Sequence, residues 1–321
     1  MDYATFMERG SVSWDRMEAL IDAAGRDLGR LSADELEALV AAHRAVVSDF
    51  AWARTRYPDA GTTARLRALA FRGHQLLAEP DPPLPRRIWR FFSDGYPRLF
   101  QQTLPATLGA TALFGGATLL GVVVGGVNPD AARLFIGEEA IQGLRESTIW
   151  TDQVGEMQDA TSLSTMIFTN NIRVALAAWA GGALAGLGSA AALLFNGLMF
   201  GCMLTVTWQF GMLDRLHAWI AAHGPLELFL ICCAGGAGFT LARGLVDDRG
   251  RPLYQTLAEA GRRSVRLALG TVPWFVLCGI VEGTISPQME LATSLKQIVG
   301  VVMLTIFLTY VLVPRASRSA T

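Results

Sequence analysis

His223 and Glu227 stand one helical turn apart in His223-Gly224-Pro225-Leu226-Glu227. An imidazole and a carboxylate at that spacing share one helix face and can exchange a proton or hold a cation between them. Pro225 suits the first turn of a helix, where its missing amide hydrogen is not needed, so a helix begins here with Glu227 near its positive end. Two readings stand side by side. In one, Glu227 stabilises a helix start with His223 as its cap. In the other, the pair forms a proton, ion or substrate site, since ionisable groups at membrane depth are expensive to keep. Glu282, in Gly279-Ile280-Val281-Glu282-Gly283, is a second carboxylate inside an apolar stretch, and Asn170, Asn171 and Arg173 are polar groups able to pair with it. Together these six residues form a candidate polar intramembrane cluster. The asparagines and the arginine also fit a structural role, as interhelical polar contacts.

Other chemistries find no footing. The metalloprotease pattern H-E-x-x-H is missing, and with only His217 and His223 near the cluster no metal site is expected. There is no phosphate-binding loop, dinucleotide fingerprint or nucleophile elbow, so no catalytic residue, no cofactor and no enzyme activity are expected. Cys202, Cys232, Cys233 and Cys278 all lie in apolar stretches and read as packing residues. A formal net charge of −1 argues against a nucleic-acid partner, which would call for a basic excess.

The elements that position the cluster follow from composition. Hydrophobic residues make up 51% of the chain, charged residues 17%, and the mean hydropathy is +0.34. The average hides a division near Thr103, after which long apolar stretches alternate with short polar ones. Spans are expected at Leu104–Val127, twice within Val174–Met212, and at Leu226–Leu245, Leu267–Ile285 and Ile298–Val313, each near the ~20 residues that cross a bilayer. The chain is too long between Val174 and Met212 for one crossing, and Phe195-Asn196-Gly197 is read as the fold-back, with Asn196 on the side away from the cluster. The fold class is therefore all-α, a multi-pass transmembrane bundle of about six spans. An even count returns the C-terminus to the side of the N-terminus. Arg249, Arg251, Arg262, Arg263, Arg266, Arg315 and Arg318 then share a side with the Arg86 to Arg98 group, which the positive-inside rule makes cytoplasmic. Glu138, Glu139, Glu146, Asp152, Glu156 and Asp159 against Arg133 and Arg145 suit the opposite side. Arg215 beside Asp214 is the exception to this arrangement.

Ahead of the spans, residues 1–85 read as a cytoplasmic helical domain without a signal peptide. Trp14, Met17, Leu20 and Ile21 share one helix face. Ser32 and Glu35 form a capping-box pattern leading into a stripe of Leu36, Leu39, Val40, His43, Val47 and Phe50, and a third helix carries Leu66, Leu69, Leu76 and Leu77. His43 and His74 are expected inside or between these helices. The proline-rich Glu79 to Pro85 ends the domain. Residues 86–103, where Arg86, Arg87, Arg90 and Arg98 interleave with Trp89, Phe91, Phe92 and Tyr96, are read as an interfacial amphipathic segment, 104–313 as the transmembrane domain and 314–321 as a cytoplasmic tail. Glycines four apart, Gly121 and Gly125, Gly182 and Gly186, Gly197 and Gly201, Gly279 and Gly283, mark faces for close helix packing, within one chain or in a homo-oligomer.

These residues also resemble a known family. Leu31-Ser32-Ala33-Asp34-Glu35-Leu36 with His43-Arg44, Asn170-Asn171-Ile172, Phe195-Asn196-Gly197, His223-Gly224-Pro225-Leu226-Glu227-Leu228 and Ile280-Val281-Glu282-Gly283, in that order, are similar to the stage II sporulation protein M family of bacterial integral membrane proteins. The resemblance implies a multi-pass protein of the bacterial cytoplasmic membrane. In spore formers the namesake works as a membrane anchor for cell-wall-degrading partners. The function expected first is accordingly a membrane scaffold or anchor for partner proteins. The alternative is a transporter or channel for a small solute, ion or lipid using the His/Glu cluster, with intramembrane hydrolysis third. A cavity reaching Glu227 and Glu282 favours the transporter; a dry, packed interior favours the scaffold.

Overall fold

A computed structural model describes residues 2–25, 27–78, 83–149, 160–246, 250–288 and 290–313, with residues 160–169 described as backbone helix only. The expected proline-rich boundary at Glu79 to Pro82, the carboxylates Asp152, Glu156 and Asp159, and Arg249, Arg315 and Arg318 lie outside these residues. The described residues hold helices and no strand. They fall into two compact units, Met1–Leu84 and Pro85–Thr321.

The first unit is a bundle of α1 (Tyr3–Ala24), α2 (Ala33–Arg56) and α3 (Gly61–Leu77). Helix α1 is capped by Asp2, whose carboxylate accepts from the Thr5 amide at 2.8 Å. The capping box of α2 forms as expected: the Glu35 amide donates to Ser32 Oγ and the Ser32 amide donates to Glu35 Oε2. The core is Phe6, Trp14, Met17, Ile21, Leu39, Val46, Leu66 and Leu69. Trp14 is fully enclosed and its indole donates to Asp49 at 2.8 Å, which satisfies the one polar atom of a large apolar ring. On α2 the buried line is Leu39, Ala42, Val46 and Ala53, so Val46 is enclosed where the stripe read from the sequence places Val47, which is 42% exposed. His43 reaches the Ala70 carbonyl at 3.3 Å, as expected of an interior histidine, whereas His74 is exposed.

The second unit begins with α4 (Leu84–Arg90), which passes through a π-helical turn at Phe91–Gly95 into α5 (Tyr96–Val127). Short helices α6 (Pro129–Ile136) and α7 (Glu138–Arg145) follow, then α8 (Ala160–Ala180), α9 (Leu187–Gln209), α10 (Leu213–Ile220), α11 (Gly224–Val246), α12 (Leu253–Thr284) and α13 (Thr293–Leu312). Five helices are long and apolar enough to cross a membrane: Leu104–Val127 within α5, and α9, α11, α12 and α13. Helix α8, with 21 residues, packs with them against α9, α11 and α12. The chain is a helical membrane bundle with several spans.

Contacts fix the direction of each helix. Gln101 at the start of α5 donates to the Val311 carbonyl at the end of α13 at 2.9 Å, and the Tyr310 hydroxyl donates to the Phe92 carbonyl at 2.7 Å. Both therefore lie at one end of the bundle. Helices α5 and α9 run side by side in the same direction, with Gly121 against Leu198 and Cys202 and Gly201 against Thr118 and Val122. Trp179 near the end of α8 donates to Ser264 at 2.9 Å, and Ser264 donates to the Ala237 carbonyl of α11.

The fold-back corrects the sequence reading. It falls at Gly181–Gly186, where a short 3₁₀ turn ends in two left-handed residues, Ala185 at φ 51° and Gly186 at φ 86°. Gly182 lies against the backbone of Gly238, with no room for a side chain. Phe195-Asn196-Gly197 instead sits inside α9. The Asn196 amide donates to the Ala192 carbonyl one turn back, so a residue typical of turns is accommodated in a helix by its own backbone. Tyr96 to Thr103 likewise belong to α5, with Tyr96 fully buried beside Phe100 and Tyr310.

Candidate functional site

The end of the bundle away from Tyr96 and Tyr310 gathers ionisable side chains from α11, α12 and α13. His223 closes the turn between α10 and α11, and its carbonyl accepts from the Glu227 amide at 3.0 Å, which starts the helix and sets both side chains on one face. Glu282 arrives from the last turn of α12. His223 Nε2 lies 4.0 Å from Glu227 Oε2 and 4.0 Å from Glu282 Oε1, so one imidazole faces two carboxylates. The other ring nitrogen, Nδ1, is 2.8 Å from Ser286 Oγ. Which of the two atoms donates depends on the tautomer of the ring.

Behind this pair stands Lys296, the only lysine in the sequence, in the first turn of α13. It is 1% exposed and donates to the Ser286 carbonyl at 2.8 Å. Lys296 and Ser286 were not singled out from the sequence. A lone lysine in an otherwise apolar span was the available signal for the first; nothing marked the second.

His223 and Glu227 are each 3% exposed and Glu282 is 1% exposed. Distances of 4.0 Å exceed hydrogen-bond range. Neither Glu282 oxygen, nor Glu227 Oε1, has a hydrogen-bond partner among the described residues. Asn171 bonds to the Glu227 carboxylate. Buried carboxylate oxygens are costly when unpaired, by about 1–3 kcal/mol or more for a charged group, so this gap calls for an explanation.

A cavity of about 150 Å³ adjoins these oxygens. Its polar lining is Asn170, Asn171, Asn196, His223, Glu227 and Glu282, and its apolar lining includes Phe114, Met199, Phe200 and Ile231. At about 30 Å³ per water the space suits a few waters or one small solute. Asn170 is exposed at its edge. Of the six cluster residues, five line the cavity. Arg173 does not; it is exposed on α8, two residues beyond Asn171 and so on roughly the opposite side of the helix. Asn196, assigned from sequence to the far side, is brought in because the fold-back lies at Gly181–Gly186 and Asn196 follows it by ten residues, well inside α9. No group of three or more His, Cys, Asp or Glu suited to a metal ion occurs among the described residues.

The glycine pairs divide. Gly121, Gly125, Gly197 and Gly201 join α5 to α9 backbone to backbone within one chain. Gly182 and Gly186 form the fold-back, and Gly279 and Gly283 are half-buried on α12. The first set brings Phe114 and Met199, which line the cavity, onto facing helices.

Residues 4–79 match a family described as a domain of unknown function, DUF8413. No curated protein and no solved structure matches the chain. Residues 110–287, more than half of the 321-residue chain and the stretch that carries Asn170, Asn171, Asn196, His223, Glu227, Glu282 and Ser286, match the family model described as stage II sporulation protein M. The chain belongs to the stage II sporulation protein M family.

Proposed function

We propose that this membrane protein binds a small cation or protonated solute in the cavity at His223, Glu227 and Glu282 and passes it across the bilayer, without enzymatic chemistry. The observation that carries the proposal is the set of buried carboxylate oxygens that border a cavity and have no donor among the described residues. Such groups persist where a ligand supplies the missing contact. Glu227 and Glu282, both facing His223 Nε2, offer a place for one positive charge. The arginine-rich end of the bundle supports a placement in the bacterial cytoplasmic membrane with both termini in the cytoplasm and the cavity near the outer face.

The test is flux. The full chain in liposomes carrying an internal pH dye should acidify the lumen when a potassium diffusion potential is imposed. Glu282→Gln should reduce the rate at least about tenfold, the loss of one charge-assisted contact. Equal rates in wild type, Glu282→Gln and empty liposomes would refute it.

The scaffold reading retains one observation of its own. The Met1–Leu84 unit has a complete hydrophobic core and presents Val12 and Phe71 on its surface, at 76% and 61% exposure. A chain lacking residues 1–84 that conducts like wild type would leave this unit to protein partners or a homo-oligomer; loss of flux would tie it to transport.

A further inference from the structure

A second cleft, of about 320 Å³, opens between α5, α11 and α12 at the opposite end of the bundle from His223. Arg243 in the last turn of α11, Arg251 before α12, and Arg263 within α12 line it, against one carboxylate among the described residues, Glu259. Glu259 pairs with Arg251 at 3.0 Å. Arg263 has no carboxylate partner among the described residues and is exposed. The hydroxyl of Thr256 is already committed to the Gly244 and Leu253 carbonyls, and that of Thr240 to the Gly236 carbonyl. Arg263 is therefore the lining guanidinium with no carboxylate at hand, and the Gln102 side-chain amide is a further polar group of the cleft.

Beyond Gln102 and Thr103 one part of the wall is apolar: Pro105, Ala106 and Phe239 continue from the arginines toward the middle of the spans. Helices α11 and α12 touch backbone to side chain at Gly244 and Ala260, and α11 meets α5 at Gly236 and Thr107, which closes the cleft on its inner side. A cationic mouth above an apolar wall, at the depth where a span ends, matches a molecule with an anionic head and a hydrocarbon body. Guanidinium groups bind phosphate oxygens two at a time, which a lysine does not.

We propose that this cleft holds the phosphate-bearing headgroup of an anionic phospholipid. Arg251 and Arg263 contact the phosphate, and Phe239 and Pro105 lie against the glycerol and upper acyl chain. Arg251 exchanges part of its bond with Glu259 for the lipid.

The experiment uses the full chain in detergent, with thermal unfolding and native mass spectrometry read against added short-chain phosphatidylglycerol, short-chain phosphatidylcholine or inorganic phosphate. Wild type should retain phosphatidylglycerol about tenfold better than phosphatidylcholine, the worth of a charge-assisted contact, and millimolar phosphate should not reproduce the stabilisation. Arg263→Gln should remove most of that preference and Arg263→Lys should restore only part of it, because the charge returns without the fork. Arg262→Gln, one residue along α12 and outside the cleft, should keep it. Equal retention of the two lipids, or an equal loss from Arg262→Gln and Arg263→Gln, would overturn the site in favour of general surface attraction. Full stabilisation by inorganic phosphate would overturn the lipid in favour of a soluble anion. Should Arg263→Gln fail to give folded protein, Arg251→Gln is judged by the same outcomes.

Discussion

Gly201→Ala should destabilise the bundle, and the structure sets the size of the effect. A Cβ at Gly201 would overlap the Thr118 carbonyl oxygen and crowd the Val122 amide, both backbone atoms of α5 that no rotamer change can move. Helices α5 and α9 must then separate along a face where Gly121, Gly125 and Gly197 make similar approaches. A gap of about 1 Å forfeits up to about half of each dispersion contact it spans, and overpacking of this kind costs about 1–3 kcal/mol. Alanine also gains about 0.5–1 kcal/mol over glycine in helix propensity. Gly116→Ala, in the same interface helix but with nothing within 4 Å of its Cβ position, takes the gain without the overlap. The difference between the two variants isolates the overlap, so Gly201→Ala should lie below Gly116→Ala by about 1–3 kcal/mol. Gly125→Ala, whose nearest atoms are Thr205 Cβ at 3.2 Å and Cys202 Cα at 3.4 Å, should fall between them. The assay is unfolding in mixed micelles followed by tryptophan fluorescence at several protein concentrations. Equal stability of Gly201→Ala and Gly116→Ala would refute the packing argument. A difference that grows on dilution would refute its placement within one chain.

Three further outcomes follow from other parts of the molecule. Glu227→Gln and Glu282→Gln, both beside the same His223 nitrogen, should be non-additive in a double-mutant cycle by about 0.5–3 kcal/mol, whereas additivity within a few tenths would separate them. Glu35 is held below the ordinary glutamate range by the amide and then the hydroxyl of Ser32. A depressed folded-state value means stability that is present above the unfolded value and lost as pH falls through the folded one, so amide-exchange protection in the first turn of α2 should drop in that acid window. Unchanged protection, after correction for intrinsic exchange, would detach Glu35 from the cap. For orientation, Asp130→Cys should react with an impermeant thiol reagent in intact spheroplasts and Arg262→Cys should not. The native cysteines are buried and should stay silent, and the reverse pattern would invert the topology.

Much of the bundle was legible because spans are set by length and hydropathy, which the chain displays plainly at Leu104–Val127 and from Leu226 onward. The break between α8 and α9 was not, since Val174 to Met212 is apolar and small throughout and hydropathy has no minimum to mark. The residues that decide it are glycines able to adopt a left-handed backbone, Gly186 above all, while Phe195-Asn196-Gly197 resembles a turn only in residue type. That shift also decided Asn196, which moved from the far side to the cavity lining. His223, Glu227 and Glu282 were readable because ionisable groups in apolar stretches stand out. Their arrangement around one imidazole depends on where α11 and α12 end, which periodicity leaves uncertain by a turn. Lys296 is the one lysine of the chain, but its partner is a backbone carbonyl, and no side-chain pattern announces that contact. On α2, Val46 and Val47 are chemically alike, and only the packing of α1 and α3 selects between them.

The most direct measurement asks whether water and small solutes reach the unpaired carboxylates. The full chain in lipid nanodiscs is treated with a water-soluble carbodiimide and a small amine, and modified peptides are mapped by mass spectrometry. Amide formation at Glu282 and Glu227, despite exposures of only 1% and 3%, is the expected result if the cavity, which is lined by the exposed Asn170, opens to solvent as the proposed function requires. Modification confined to surface carboxylates such as Asp130 and Glu138, with Glu227 and Glu282 untouched, would contradict a ligand site and leave the cluster as sealed structural packing.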